Sequence, residues 1–253
     1  MADEETPAIG LKVGLGRIHD RSLTRLIVIR STTAIVGVAI VTLAALILRD
    51  PLASMSDYTA ALMALNQIAP PLLLLAVSWR RTPGGGSFRS GLMRTIFDPW
   101  SATLLFILLS VAISLPGIFD PTLTNALYAG PLGAVELLVG LLFWAQILPA
   151  TRSIRRGWVA GLLAWLGSIP MMVVAVVWML SADVLYTPYL DVICIWNVPP
   201  LVDQKWAGLV MFVAGVPLQL VGTWLLLDIG GCDGLVEPSA GRVGSSAPAT
   251  ESA

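Results

Sequence analysis

Six apolar stretches, near residues 31–48, 58–78, 100–119, 126–148, 158–181 and 205–227, dominate what this chain can fold into. At roughly 1.5 Å per residue, about twenty residues of helix cover the 30 Å or so of a bilayer's hydrocarbon core. Backbone in lipid has no water to bond to, so runs of this kind become helices. Of the 253 residues 56% are hydrophobic and 12% charged, and the mean hydropathy is +0.82. That balance excludes a soluble domain. The fold class is all-α: a polytopic membrane bundle of about six transmembrane helices. The spans fill residues 31–227 as one transmembrane domain, with a cytoplasmic basic amphipathic segment at 1–30 before it and a Gly-, Ser- and Ala-rich cytoplasmic tail, expected to be disordered, at 228–253.

The connecting segments differ sharply in charge, and that difference orients the bundle. Lys12, Arg17, Arg21, Arg25 and Arg30 precede the first span. Arg80, Arg81, Arg89 and Arg94 follow the second, and Arg152, Arg155 and Arg156 the fourth. The opposite side keeps only Arg49 and Lys205, against Asp50, Asp57, Asp120, Asp183, Asp191 and Asp203. Both termini are therefore expected in the cytoplasm, in a bacterial inner membrane. Arg17, Arg21 and Arg25 recur every fourth residue and suit anionic lipid headgroups, not nucleic acid. Trp79, Trp100, Trp144, Trp158 and Trp224 fall at the expected inner boundary, and Trp196 and Trp206 at the outer one, as interface anchors.

One carboxylate interrupts the apolar pattern in mid-span. Glu136 lies about 15 Å into the run that starts at Ala126. An acid there costs about 3 kcal/mol on insertion scales, so it should face other helices or a wet cavity, either neutral or beside a strong partner. Asn66 and Gln67 lie about 12 Å into the second run, and Pro70-Pro71 follow, each freeing the carbonyl four residues earlier. Glu136, Asn66 and Gln67 thus form a candidate polar cluster inside the membrane. It reads either as a kink whose polar groups satisfy one another or as the wall of a functional cavity.

Catalytic and metal chemistry find little support. His19, the single histidine, is on the cytoplasmic side, so no Ser-His-Asp or Cys-His arrangement and no His pair for zinc or haem can assemble. The chain is expected not to be an enzyme and to carry no cofactor. Copper is the one metal with some chemical case, since Met63, Met211 and Cys194 offer the soft sulfur ligands that suit Cu(I). Cys194 and Cys232 fall on opposite sides and cannot pair.

The loop from Ala182 to Gln204 is too aromatic and proline-rich for a loose linker, and Tyr186, Tyr189, Asp191, Trp196, Asp203 and Gln204 are the candidate outer-face interaction residues. Together with Ala69-Pro70-Pro71-Leu72-Leu73, Gly140-Leu141-Leu142-Phe143-Trp144, Tyr186-Thr187-Pro188-Tyr189 and Asp203-Gln204-Lys205-Trp206-Ala207-Gly208-Leu209-Val210-Met211, this loop makes the chain resemble the bacterial CtaG-like family of cytochrome c oxidase assembly factors. The resemblance spans roughly Tyr58 to Leu227. It implies a multi-span inner-membrane protein linked to maturation of a haem-copper oxidase. The family pattern also carries histidines spaced by four before two of these motifs; here those positions hold Tyr58, Leu62, Ala129 and Gly133, so copper handling does not transfer. The resemblance therefore implies support of oxidase assembly by protein contact, with cytochrome c oxidase and membrane lipids as partners. A constitutive accessory subunit of a respiratory or other membrane complex is the alternative, and a small transporter or proton-conducting protein using Glu136 is a third.

Overall fold

The computed structural model describes residues 9–77, 98–148, 151, 156–190 and 195–227, and among these every regular element is helical. Helix α1 (Ile9–Ile47) is continuous, with its apolar part at Ile27–Ile47. Helices α2 (Met55–Met63) and α3 (Ala69–Ala76) are joined by a π-helical turn, Ala64–Ile68, into one span. Next come α4 (Pro99–Ala112), α5 (Pro116–Thr124), α6 (Ala126–Ile147), α7 (Gly157–Leu180) and α8 (Pro200–Leu227). Among the described residues five helices are long and apolar enough to cross a membrane, which makes six spans if α4 and α5 count as one. The side chains of 9–26, the inner connector at 78–97 and the 228–253 tail lie outside the described residues, and with them the basic lipid-facing stripe and the tail expected from the sequence.

The third span departs from expectation. Instead of one rod it is two helices that turn by 74°. Pro116 has no amide to continue α4, and its ring holds Leu115 in extended backbone (φ −79°, ψ 134°). The bend swings Phe119 inward to 2% exposure. There it meets Tyr58, Trp178 and Tyr186, with ring centroids 5.4, 5.6 and 4.3 Å away. One proline thus turns the end of the third run onto an aromatic core.

Side-chain capping sets where the helices begin. Asp98 accepts the amides of Trp100 and Ser101 at the start of α4, and Asn125 accepts that of Leu127 at the start of α6. The α2–α3 span packs on α8, α8 on α7, α7 on α4, α4 on α6, and α6 back on the α2–α3 span, closing a ring. Helix α1 lies outside it against α2 and α3. The α7–α8 pair packs along most of its length. A Cβ at Gly161 would stand 2.9 Å from the carbonyl of Gly222, and one at Gly222 would stand 3.0 Å from that of Gly161. Small residues there let two backbones touch, as packing in lipid requires. Inside the ring Phe106 stacks on Phe143 at 4.0 Å.

Of the tryptophans expected as boundary anchors, Trp100, Trp158, Trp196, Trp206 and Trp224 are exposed, and Trp79 lies outside the described residues. Trp144 does not fit: it is 6% exposed, because α6 turns this side chain toward the α2–α3 span rather than toward lipid.

Candidate functional site

The segment between α7 and α8 is fastened to the helix ends by side chains of the Asp203-Gln204 pair. Asp203 lies in the first turn of α8 and is 2% exposed. Its Oδ2 accepts the amide of Met55 at 2.6 Å, and its Oδ1 accepts the amide of Ser56 at 3.2 Å and the hydroxyls of Ser56 and Ser54 at 2.6 and 3.1 Å. The first amides of a helix have no partner within it. One carboxylate from α8 therefore caps the start of α2, 148 residues away. Gln204, fully buried, accepts the amide of Leu185 through Oε1 at 2.8 Å and donates through Nε2 to the carbonyl of Asp183 at 3.4 Å.

Two tyrosines complete the clasp. Tyr186 donates its hydroxyl to the carbonyl of Ser114 at 2.7 Å, within the kink between α4 and α5. Tyr189 donates to the carbonyl of Pro51 at 2.7 Å, and the amide of Ile195 to that of Ala53 at 2.8 Å. Thr187 donates to Asp120, and the Trp196 indole to Asp57. The backbone turns at Asn197, whose φ of 55° an asparagine tolerates.

These bonds place the residues expected on the outer face. Tyr186, Tyr189, Asp203 and Gln204 are 2% exposed or less, with their polar atoms bonded to backbone groups of other segments and, for Asp203, to two serine hydroxyls as well. They hold the surface without being part of it. Trp196 is 64% exposed, Ile195 before it and Leu190 earlier in the loop are exposed as well, and Asp191 lies outside the described residues. The partners Ser54 and Ser56 escaped sequence reasoning. The run Ser54-Met55-Ser56-Asp57 carries a helix-start signal, and Ser54 does accept the Asp57 amide, but nothing local points to Asp203.

Burial, with Asp120 adding like charge, pushes the Tyr186 hydroxyl well above the usual phenol range. The folded state then holds this proton more tightly than the unfolded chain, so the stability it confers is full below the free phenol's pKa of about 10 and is lost as pH rises beyond it. Tyr186→Phe is expected to cost about 1 kcal/mol at neutral pH through the lost bond. It should also reduce the fall in stability above pH 10, as read from detergent unfolding across pH. A wild-type and a Phe profile that stay parallel through pH 11 would contradict this.

The polar cluster in mid-bundle has a different character. Glu136 and Asn66 are fully buried and Gln67 is 6% exposed. The Ala69 amide reaches back to Ala64, five residues, forming the π turn just ahead of the proline pair. Gly140, one turn from Glu136, admits this turn: a Cβ there would stand 2.7 Å from the Asn66 carbonyl and 2.9 Å from its Oδ1. The structure brings Asn66 onto the Glu136 face of α6, but no hydrogen bond joins the three residues. Gln67 turns to α7 and donates to the Met171 sulfur at 3.1 Å. Both Glu136 oxygens, both Asn66 side-chain atoms, Gln67 Oε1, Thr59 Oγ1 and Trp144 Nε1 are buried without a partner among the described residues. Unpaired polar groups at this depth are costly and mark the cluster as a candidate functional feature.

Of the three sulfur residues named for copper, two lie in described helices. Met63 and Met211 are 2 and 3% exposed on α2 and α8, and Cys194 lies outside the described residues. No group of three His, Cys, Asp or Glu comes together among the described residues. Tyr58, Leu62, Ala129 and Gly133 are all buried, and a Cβ at Gly133 would stand 2.5 Å from Leu48 and 3.0 Å from Leu65. Apolar side chains fill the space that added ligands would need there.

An all-helical ring with spans of membrane length and a loop clasped across its end defines a multi-pass membrane protein. The chain belongs to the cytochrome c oxidase caa3 assembly factor family, whose model matches residues 13–228. It matches no curated protein sequence and no solved structure.

Proposed function

We propose that this protein supports assembly of a haem-copper oxidase by protein contact, with the clasped loop presenting a rigid edge to a membrane subunit of the oxidase. The observation that carries this reading is the contrast within the loop. Asp203, Gln204, Tyr186 and Tyr189 are spent on holding it, while Leu190, Ile195 and Trp196 stay exposed at 57, 69 and 64%. Side chains whose backbone is already tied down lose less entropy on binding, and exposed apolar side chains beside such ties are what an interface needs. A groove of about 690 Å³ lies between the α2–α3 span and α8, with Trp206 in its wall, and is lined almost wholly by apolar residues. It offers room for part of a transmembrane helix of the same subunit.

Deleting the gene is expected to lower oxidase content and activity, and wild-type protein to restore both. Trp196→Asp combined with Leu190→Asp should accumulate to normal levels yet fail to restore them, while Trp196→Phe should succeed. Normal oxidase content in the deletion strain would sink the reading. Co-purification with the mature oxidase at fixed stoichiometry would replace it with that of an accessory subunit.

A further inference from the structure

A second crevice, of about 310 Å³, lies between α1 and α6. Its walls are Val41 and Ala45 of α1 and Gly130 and Leu137 of α6, and Leu65 forms part of its floor. The two helices run in opposite directions, so Arg49 at the end of α1 and Ala126 at the start of α6 share one mouth at the loop end. Arg49 is exposed there, and its guanidinium has no hydrogen bond or ion pair among the described residues. Asp50 beside it makes no ion pair with it either.

We propose that this crevice binds one phospholipid of the loop-side leaflet, its phosphate on Arg49 and one acyl chain between α1 and α6. The charge fits, because a guanidinium pairs bidentately with a phosphate diester, and at a membrane boundary the headgroup is the abundant anion. The depth fits too. From Arg49 to Val41 is eight residues, about 12 Å of helix, close to one leaflet's share of a core about 30 Å thick. A partner helix would need the whole thickness, but the crevice ends near mid-membrane. The apolar walls give a hydrocarbon chain its contacts and give a polar ligand none.

Two glycines provide a matched test. A Cβ at Gly130 meets nothing within 4 Å, so a side chain there starts into open space at the crevice wall. A Cβ at Gly117 on α5, which does not line the crevice, likewise meets nothing within 4 Å. The experiment is native mass spectrometry of the full-length protein in mild detergent, titrated with palmitoyl-oleoyl phosphatidylglycerol or with the corresponding diacylglycerol. Wild type and Gly117→Phe should retain one phospholipid and release the diacylglycerol. Arg49→Gln should weaken retention about fivefold, the scale of an interfacial charge-assisted pair. Gly130→Phe should abolish it. As a second readout, the phospholipid should raise the apparent melting temperature of wild type and Gly117→Phe but not of Gly130→Phe. Undiminished retention in Arg49→Gln, diacylglycerol held as firmly as phospholipid, or unchanged binding in Gly130→Phe would each overturn the proposal.

Discussion

Replacing Asp203 by alanine is expected to destabilise the protein by about 3 kcal/mol or more, the largest effect of any single polar substitution at the loop end. The carboxylate accepts from two amides and two hydroxyls while 2% exposed. Bonds to a charged group contribute about 1.5–3 kcal/mol each, and buried donors left without a partner add their own desolvation cost. Water reaching the vacated space would recover part of this, which is why the figure stays below the sum. Asp203→Asn should fall between, since one amide oxygen cannot serve both Met55 and Ser56 while its NH₂ faces a donor. Asp50→Asn, on an exposed carboxylate, should stay within about 0.5 kcal/mol of wild type. Urea unfolding in detergent micelles decides the matter: equal midpoints for Asp203→Ala and Asp50→Asn would show that the clasp does not hold the fold. Loss of the clasp should also open the loop at Asp183–Leu185 to protease, because Gln204 holds that segment from the adjacent position.

Gly140→Ala should destabilise although alanine is the better helix former. In a free helix wall the exchange gains up to about 1 kcal/mol. At Gly140 the new methyl would lie 2.7 Å from the Asn66 carbonyl, 2.9 Å from its Oδ1 and 2.9 Å from Pro70 Cγ. Backbone and a proline ring cannot yield as a flexible side chain does, so α6 must move off the π turn. Overpacking of this kind costs about 1–3 kcal/mol. Gly130→Ala on the same helix, with nothing within 4 Å, should be neutral or stabilising. Opposite signs in one helix separate the packing effect from propensity, and two substitutions of the same sign would refute the account of how α6 meets Asn66.

Much of this architecture is legible in the chain as written. Apolar runs of bilayer length dictate helices whatever surrounds them, because lipid offers backbone no other solution. The Pro70-Pro71 pair announces irregular backbone beside Asn66 and Gln67, and the π turn lies there. The Pro116-Gly117 pair stands near the outer end of the third run. It does not say that the chain turns by 74° and sends Phe119 inward, since a bend is oriented by what it packs on.

The sequence by itself determined the helical class, the approximate spans and the family, all of which follow from local composition and short motifs. Tertiary structure alone decided what the motif residues do. Asp203, Gln204, Tyr186 and Tyr189 read as interaction residues of the outer face, and in the fold they are buried. The groups that need them, among them the amides of Met55 and Ser56 and the carbonyls of Ser114 and Pro51, are far away in the chain. A polar side chain is drawn inward when a backbone group there lacks a partner, and such vacancies appear only once distant helix ends have been brought to one level.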